Sequence, residues 1–170
     1  GADVIWFSMR DGWGHLYLYD GKSGEIRNQI TRGEWLVRDI IKVDDEQRRI
    51  YFTGGGREGG NPYYRYLYRV DFDGSDLQLL SPEPADHLLT SPYNDVLALD
   101  GALGHEPISP SGKFVAYSYS TPTQATRSVI RRTDDGTLVA EFEEADTSAL
   151  YEAGWRDPEE VVVKAADGKT

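Results

Sequence analysis

Cysteine is absent from the 170-residue sequence, and histidine occurs only at His15, His87 and His105. Without cysteine the chain can have no disulfide framework, no zinc–thiolate site and no cysteine nucleophile. The three histidines are far apart in the sequence and lack the spacing of metal ligands. We therefore predict no metal site and no cofactor.

Long apolar runs and positive charge are also scarce. No run approaches the ~20 residues that cross a bilayer, so we predict no membrane partner. Lysine and arginine number 18 against 29 aspartates and glutamates, which gives a net charge of −11 at pH 7. This acidic balance argues against a nucleic-acid partner. Hydrophobic residues make up 39% of the chain and aromatic residues 12%, which is enough for a folded core.

Short apolar or alternating runs separated by turn residues make up most of the sequence. Asp-Gly dipeptides, as at Asp20-Gly21 and Asp73-Gly74, favour β-hairpins because a tight turn needs a positive φ, which glycine adopts at little cost. We predict a short helix within residues 146–153, capped by Asp146 or Thr147 and ended by Gly154. The predicted strands are 4–8 (as a buried strand), 15–19, 25–31, 36–43, 49–53, 65–70, 77–80, 113–119, 128–131 and 138–142.

Aligned on their turns, these strands form a weak repeat of roughly 40–50 residues, the length of one propeller blade. The clearest pair is His15-Leu16-Tyr17-Leu18-Tyr19-Asp20-Gly21 and residues 66–74. The predicted fold is therefore all-β, a partial β-propeller of about three antiparallel four-stranded blades, some incomplete, with at most one short helix. Because closed propellers have about 4–8 blades, we expect the chain to be part of a larger propeller.

Several segments, in the same order along the chain, resemble the late propeller of bacterial dipeptidyl peptidase IV-like proteins of the prolyl oligopeptidase family. The first is Ile5-Trp6-Phe7-Ser8-Met9-Arg10-Asp11-Gly12-Trp13-Gly14-His15-Leu16-Tyr17-Leu18-Tyr19. The others are residues 29–37, 51–53, 63–70, 154–159 and 163–170. The resemblance is weaker over residues 91–107, where the chain carries extra residues.

This resemblance implies that the parent protein is an exported, periplasmic serine peptidase that releases N-terminal dipeptides from peptide substrates. It assigns residues 1–160 to the C-terminal blades of the propeller and residues 161–170 to the start of the linker into an α/β-hydrolase domain. The family's serine elbow, Gly-x-Ser-x-Gly, does not occur, and Gly21-Lys22-Ser23-Gly24 has the wrong spacing. The paired glutamates that hold the substrate amino terminus belong to an earlier propeller segment. We therefore predict no catalytic and no substrate-binding residue in this chain.

One loop is a candidate interface with the hydrolase domain or a partner. The glycine-rich stretch 54–62 lacks the Gly-Lys-Ser/Thr of a phosphate-binding loop. It is followed by residues that are common in interfaces because they combine flat apolar area with fixed hydrogen-bond donors. The candidate interface residues are Arg57, Tyr63, Tyr64 and Arg65.

Other conspicuous residues receive structural interpretations. We predict a hairpin turn at residues 71–76, a solvated strand end at Glu143-Glu144, and a backbone hydrogen bond for His15. His87 and His105 are predicted in exposed loops. The four tryptophans are predicted to pack between blades: Trp6, Trp13, Trp35 and Trp155.

The leading functional hypothesis is a non-catalytic module that gates and docks the hydrolase domain of a dipeptidyl peptidase. The alternative is a ligand- or protein-binding propeller module without peptidase activity. A carboxylate-based hydrolase has the least support, because no pair of separated carboxylates is evident. We also predict self-association of the isolated chain through blade edges and through the faces of Tyr17, Tyr19, Tyr66 and Tyr68.

Overall fold

The structure is a computed structural model that describes residues 3–89, 106–142, 144–161, 163–164 and 166. Four sequence predictions fall wholly or partly outside these residues. They concern His105, Glu143, most of the segment 91–107, and much of the linker 161–170.

Eleven strands in the described residues form three antiparallel sheets, and one short helix follows them. Blade 1 contains β1 (Asp3–Ser8), β2 (His15–Asp20) and β3 (Ile26–Gln29). Blade 2 contains β4 (Leu36–Asp44), β5 (Arg49–Gly55), β6 (Tyr66–Asp71) and β7 (Gln78–Leu79). Blade 3 contains β8 (Asp86–Leu88), β9 (Phe114–Thr121), β10 (Gln124–Arg132) and β11 (Leu138–Glu141), and the helix α1 spans Ser148–Glu152. The prediction of a partial propeller of about three blades, some incomplete, is confirmed, and blade 1 has three strands in the described residues.

The predicted turns close the outer hairpin of each blade. Gly74 and Gly136 have φ of 88° and 73°, values that L side chains rarely adopt. In the first hairpin the glycine with positive φ is Gly24, at 72°, rather than the expected Gly21. The helix begins after Thr147, Asp146 accepts a hydrogen bond from the Ser148 N–H, and Gly154 follows with φ 95°.

Two apolar clusters join the blades. Leu16 and Leu18 of blade 1 pack on Ile50, Phe52 and other residues of blade 2. Within this cluster the Trp35 ring lies 6.1 Å from Phe52 between ring centroids, and the Phe52 ring lies 5.5 Å from Tyr68. The second cluster joins blades 2 and 3; it includes Ile41, Tyr51, Leu67, Leu80, Val115, Tyr117, Tyr119 and Val129.

The structure corrects the predicted burial of the first strand and of three tryptophans. Strand β1 is present, but Val4, Trp6 and Phe7 are exposed because no second sheet among the described residues covers them. Trp13 and Trp155 are also exposed, at 39% and 49%. Only Trp35 among the four tryptophans packs between blades.

The structure also corrects the prediction for His87. The sequence indicated an exposed loop, but His87 is fully buried in β8, a short strand that we did not predict. Strand β8 forms because residues 86–88 pair with residues 118–120 of β9, so its cause is tertiary rather than local.

Three of the tyrosines expected to promote self-association are buried within the chain. Tyr17, Tyr66 and Tyr68 are 3%, 3% and 0% exposed, and only Tyr19 is partly accessible. Any self-association must therefore use other apolar residues.

Candidate functional site: the rim loop of blade 2

The rim loop, residues 56–65, connects β5 to β6 and contains all four candidate interface residues. The last two residues of β5, which lead into this loop, must be glycine because a side chain would not fit there. A Cβ at Gly54 would lie 3.0 Å from the Leu36 carbonyl oxygen, and one at Gly55 would lie 3.1 Å from that of Pro62. Gly56 and Gly60 have φ of 86° and 95°. The glycine-rich sequence thus builds a compact turn over the blade.

Arg57 and Glu58 fix the first half of the rim loop on blade 2. The Arg57 guanidinium pairs with the Glu58 carboxylate at 2.8 Å and lies 5.7 Å from the centroid of the Tyr68 ring. The Tyr68 hydroxyl donates a hydrogen bond to Glu58 at 3.1 Å. Burial, together with the Glu58 charge, raises the pKa of Tyr68, which therefore remains a neutral donor.

Tyr63 and Tyr64 form the tip of the rim loop. The Tyr63 N–H donates to the Asn61 side chain at 2.9 Å, and the Tyr64 N–H donates to the Asn61 carbonyl at 3.2 Å. This turn leaves the Tyr63 side chain 77% exposed, the highest value among the large exposed hydrophobic residues. Tyr63 is therefore the most accessible of the four candidate interface residues.

Arg65 has an internal partner. Its Nε and Nη2 donate to the two carboxylate oxygens of Asp86 at 2.9 and 2.6 Å, and its backbone N–H donates to the same carboxylate at 3.0 Å. Burial alone would raise the pKa of Asp86, but these hydrogen bonds lower it. Arg65 thus links blades 2 and 3, and it is a less suitable contact for a partner than Tyr63.

The segment after α1 passes beside the rim loop. A cavity of about 310 Å³ is lined by Asn61, Tyr64 and the tip of the β9–β10 hairpin on one side, and by Pro158, Glu159 and Glu160 on the other. The chain therefore leaves the three blades next to the residues that the sequence predicted as an interface.

Sequence reasoning missed a partly buried acidic centre in the connection between blades 2 and 3. Glu83 pairs with Arg131, accepts a hydrogen bond from the Tyr117 hydroxyl at 3.0 Å, and lies 3.3 Å from His87 Nε2. Burial alone would raise the pKa of Glu83, whereas its hydrogen bonds to His87 and Arg131 lower it to about 2. The sequence around Glu83, between two prolines, resembles a solvated loop, so only the fold reveals this centre.

Other candidate groups have structural partners. His15 bonds the Gly33 carbonyl at 2.9 Å and Thr31 Oγ1 at 3.0 Å, which confirms its predicted backbone contact. Glu144 is exposed and pairs with Arg127 at 2.5 Å. Within residues 3–89, 106–142 and 144–161 no group of three acidic or histidine side chains could hold a metal ion. In the same part of the chain no helix is both long and apolar enough to span a membrane.

Residues 1–126 match the sequence family described as the dipeptidyl peptidase IV (DPP IV) N-terminal region. The chain belongs to this family. It is similar to dipeptidyl peptidase 4 of Arthroderma otae, with 40% identity over 66 residues, 39% of this chain and 8% of that protein. Dipeptidyl peptidase 4 of Trichophyton rubrum is 39% identical over the same length. The matched part thus spans only a small share of these relatives.

Solved structures confirm the fold of this DPP IV N-terminal-region chain. A candidate dipeptidyl aminopeptidase IV from Bacteroides ovatus matches with a TM-score of 0.66 and 23% identity, covering 99% of this chain and 23% of that one. A candidate TolB from Agrobacterium tumefaciens matches with a TM-score of 0.51 and 19% identity, over 82% of this chain and 44% of that one. Identities this low support the fold alone.

Proposed function

We propose that this chain forms part of the propeller of a serine dipeptidyl peptidase and contributes no catalytic residue. In this proposal it restricts the entry of peptide substrates and docks an α/β-hydrolase domain of the same parent protein. The observation that carries the proposal is the match of residues 1–126 to the DPP IV N-terminal region. Relatives named dipeptidyl peptidase 4 support a parent that releases dipeptides.

The surface near the exit of the chain supports docking. The segment 158–160 passes beside the rim loop, so a domain that follows it would lie close to Tyr63. Exposed apolar side chains on α1 and on the residues that follow it offer further contact area, and such groups favour burial against another surface. They are Leu150, Tyr151, Trp155, Val161 and Val163.

The packing between blades supports gating. Continuous apolar clusters join blade 1 to blade 2 and blade 2 to blade 3, so the three sheets form a close-packed wall. Such a wall can exclude folded proteins sterically while extended peptides enter through a narrower opening.

We also propose a periplasmic location, which the family resemblance supports and which fractionation of the source organism would test.

The coding sequence after Thr170 provides the test of the peptidase assignment. We expect a Gly-x-Ser-x-Gly elbow followed by aspartate and then histidine in chain order. An unrelated domain without these residues would overturn the assignment. That result would favour the alternative, a propeller module that binds a ligand or protein. The likeness to a candidate TolB is consistent with this fold in other settings.

Variants of the rim loop test the docking role in the parent protein. Tyr63→Ala should make the junction between the propeller and the hydrolase domain more sensitive to limited proteolysis. Lys22→Ala, an exposed change on the outer hairpin of blade 1, is the matched control and should not. Equal cleavage rates in Tyr63→Ala and Lys22→Ala would refute docking through the rim loop.

The isolated chain is expected to self-associate. The edge strand β1 supports this expectation, because its side chains Val4, Trp6 and Phe7 are 42%, 58% and 47% exposed. Unpaired edges with apolar side chains favour association.

A further inference from the structure

The side chain of His87 lies between two hydrogen-bond acceptors at the junction of blades 2 and 3. Its Nδ1 is 2.6 Å from the carbonyl oxygen of Arg65, the last residue of the rim loop. Its Nε2 is 3.3 Å from Oε2 of Glu83, in the connection between β7 and β8. A carbonyl and an ionised carboxylate can only accept hydrogen bonds, so each ring nitrogen must carry a hydrogen to bind its partner. An imidazole with a hydrogen on both nitrogens is a cation.

The other donors around Glu83 keep its carboxyl group ionised. Arg131 Nη2 pairs with Oε1, and the Tyr117 hydroxyl donates to Oε2 at 3.0 Å. The hydrogen bonds to His87 and Arg131 outweigh the effect of burial and hold the pKa of Glu83 at about 2. Glu83 therefore has no proton to donate to Nε2, and the hydrogen between the two side chains belongs to the imidazole.

Aromatic rings replace water around His87, which is 0% exposed. The centroid of its ring lies 5.3 Å from that of Tyr66, 5.3 Å from that of Tyr117 and 5.8 Å from that of Tyr119. Burial raises the pKa of Tyr66 and Tyr117, so these two phenols stay neutral. A charge in such surroundings needs a partner of opposite sign, because it has lost its hydration.

Carboxylates near His87 supply that opposite sign. Glu83 contacts the ring directly, and the neighbouring Asp86 also attracts a positive charge at His87. Two arginines approach the same junction, but each is paired with one of these carboxylates. They are Arg65, paired with Asp86, and Arg131, paired with Glu83.

His15 provides an internal comparison, because it is equally buried but has a different pair of partners. Its Nε2 lies 2.9 Å from the Gly33 carbonyl oxygen, and its Nδ1 lies 3.0 Å from Thr31 Oγ1. The Thr31 oxygen accepts the Leu16 N–H, so the hydroxyl hydrogen is available to donate to Nδ1. A neutral ring therefore satisfies both partners of His15, whereas a neutral ring cannot satisfy both partners of His87.

We propose that His87 is a buried imidazolium that latches the end of the rim loop to blade 3, and that loss of its proton releases this contact. A neutral ring has one hydrogen for two acceptors, so one bond must break. Hydrogen bonds to a carboxylate are the stronger ones, so the remaining hydrogen stays on Nε2 towards Glu83. Nδ1 and the Arg65 carbonyl then face each other with lone pairs, and their repulsion moves the end of the rim loop. The ion pair of Arg65 with Asp86 limits this movement.

The latch makes the rim loop respond to pH, and its consequence for the hydrolase domain rests on the proposed docking function. The folded chain binds a proton that the unfolded chain releases. The latch therefore stabilises the chain fully below about pH 6.5, the ordinary imidazole value, and its contribution falls as the pH rises above it. The latch itself concerns this chain alone, so it can be tested separately from docking.

Nitrogen-15 NMR of the histidine side chains tests the protonation state in the unsubstituted 170-residue chain. An imidazolium gives two similar ring-nitrogen shifts, whereas a neutral ring gives two widely separated shifts. At about pH 7, above the ordinary imidazole value, we expect the imidazolium pattern for His87 and the neutral pattern for His15. A neutral pattern for His87 at this pH would overturn the proposal.

The matched variants His87→Gln and His15→Gln test the effect of the proton on stability. Above about pH 6.5, the unfolding constant of the unsubstituted chain should approach that of His87→Gln by up to about tenfold per pH unit. The ratio of unfolding constants for His15→Gln should stay level, because His15 is then neutral in both the folded and the unfolded chain. Urea denaturation measures both ratios, and equal pH dependences in the two variants would overturn the proposal. The NMR measurement needs no substitution, so it decides the protonation state even if His87→Gln does not fold.

Trypsin cleavage after Arg57 measures release of the rim loop itself. Between about pH 7 and pH 9, the cleavage rate of the unsubstituted chain should rise towards that of His87→Gln, with an unstructured peptide of the same sequence correcting for the enzyme's own pH dependence. A constant ratio of the two rates would show that His87 does not hold the loop, and would overturn the latch. None of these results would affect docking through the rim loop, which Tyr63→Ala tests in the parent protein.

Discussion

Arg65 binds both carboxylate oxygens of Asp86, with Nε 2.9 Å from one oxygen and Nη2 2.6 Å from the other. The pair joins the end of the rim loop to the first strand of blade 3. The carbonyl of Arg65 also accepts the His87 N–H at 3.2 Å, so backbone and side chain hold the same junction. One arginine therefore sets the position of the rim loop relative to blade 3.

Loss of this ion pair should lower stability modestly. Arg65→Ala is expected to reduce the free energy of unfolding by about 1 kcal/mol, since a bidentate pair that is about one-third exposed exceeds an ordinary surface pair only slightly. Urea denaturation measures the change. Arg132→Ala removes a more exposed pair with Asp134 and should have almost no effect. Equal losses in the two variants would show that Arg65 does not link the blades.

Glu83→Gln should destabilise the attachment to blade 3 of the connection between β7 and β8. The substitution removes the charge that Arg131 and the Tyr117 hydroxyl contact, and hydrogen bonds to charged groups contribute about 1.5–3 kcal/mol. The expected fall in unfolding free energy at neutral pH is of that size. Glu106→Gln, at an exposed side chain that pairs weakly with Lys42 at 3.8 Å, is the control.

The loss of stability in Glu83→Gln should depend on pH, and the lowered pKa of Glu83 determines the direction of this dependence. Because the pKa of Glu83 in the folded chain is lowered to about 2, its stabilising effect is complete above the unfolded pKa and is lost as the pH falls towards 2. The stability difference between the unsubstituted chain and Glu83→Gln should therefore shrink between about pH 5 and pH 2. A difference that stays constant over this range would mean that Glu83 is not charged in the folded chain.

Turn glycines that contact a neighbouring blade should tolerate substitution less than open ones. Gly74 and Gly12 both have positive φ, at 88° and 93°, but only a Cβ at Gly74 would meet a neighbour, the Ile30 carbonyl. Both alanine variants carry about 1–2 kcal/mol of backbone strain. Gly74→Ala should lose roughly 1 kcal/mol more because the blades must move apart. Thermal melts of the two variants decide the point, and identical melting temperatures would contradict it.

A buried hydroxyl recurs at the end of blades 1 and 2. Thr31 accepts the Leu16 N–H at 3.0 Å, and Ser81 accepts the Leu67 N–H at 2.8 Å. Thr31→Val and Ser81→Ala should each cost about 1–3 kcal/mol, since both leave a buried donor without its partner. Thr123→Val, on the exposed β9–β10 turn, should cost little, and chemical denaturation of all three tests the comparison.

Local sequence patterns predicted most strands of this fold, because alternation and Asp-Gly turns depend on neighbouring residues. Strand β8 escaped prediction since Asp86-His87-Leu88 becomes a strand only by pairing with β9. Tertiary packing also determines which face is covered, so it reversed the expectations for Trp6 and His87. The four residues of the candidate interface did fall on one loop, but only the structure shows that Arg65 is held by Asp86.

Release of N-terminal dipeptides by the complete parent protein is the most direct test of the central claim. We expect the parent to cleave a chromogenic dipeptide substrate with proline in the second position, and to lose this activity when the serine of the downstream elbow is replaced by alanine. The 170-residue chain alone should release nothing. A correctly folded parent that cleaves no dipeptide substrate, or one whose activity survives the serine substitution, would contradict the assignment to a serine dipeptidyl peptidase.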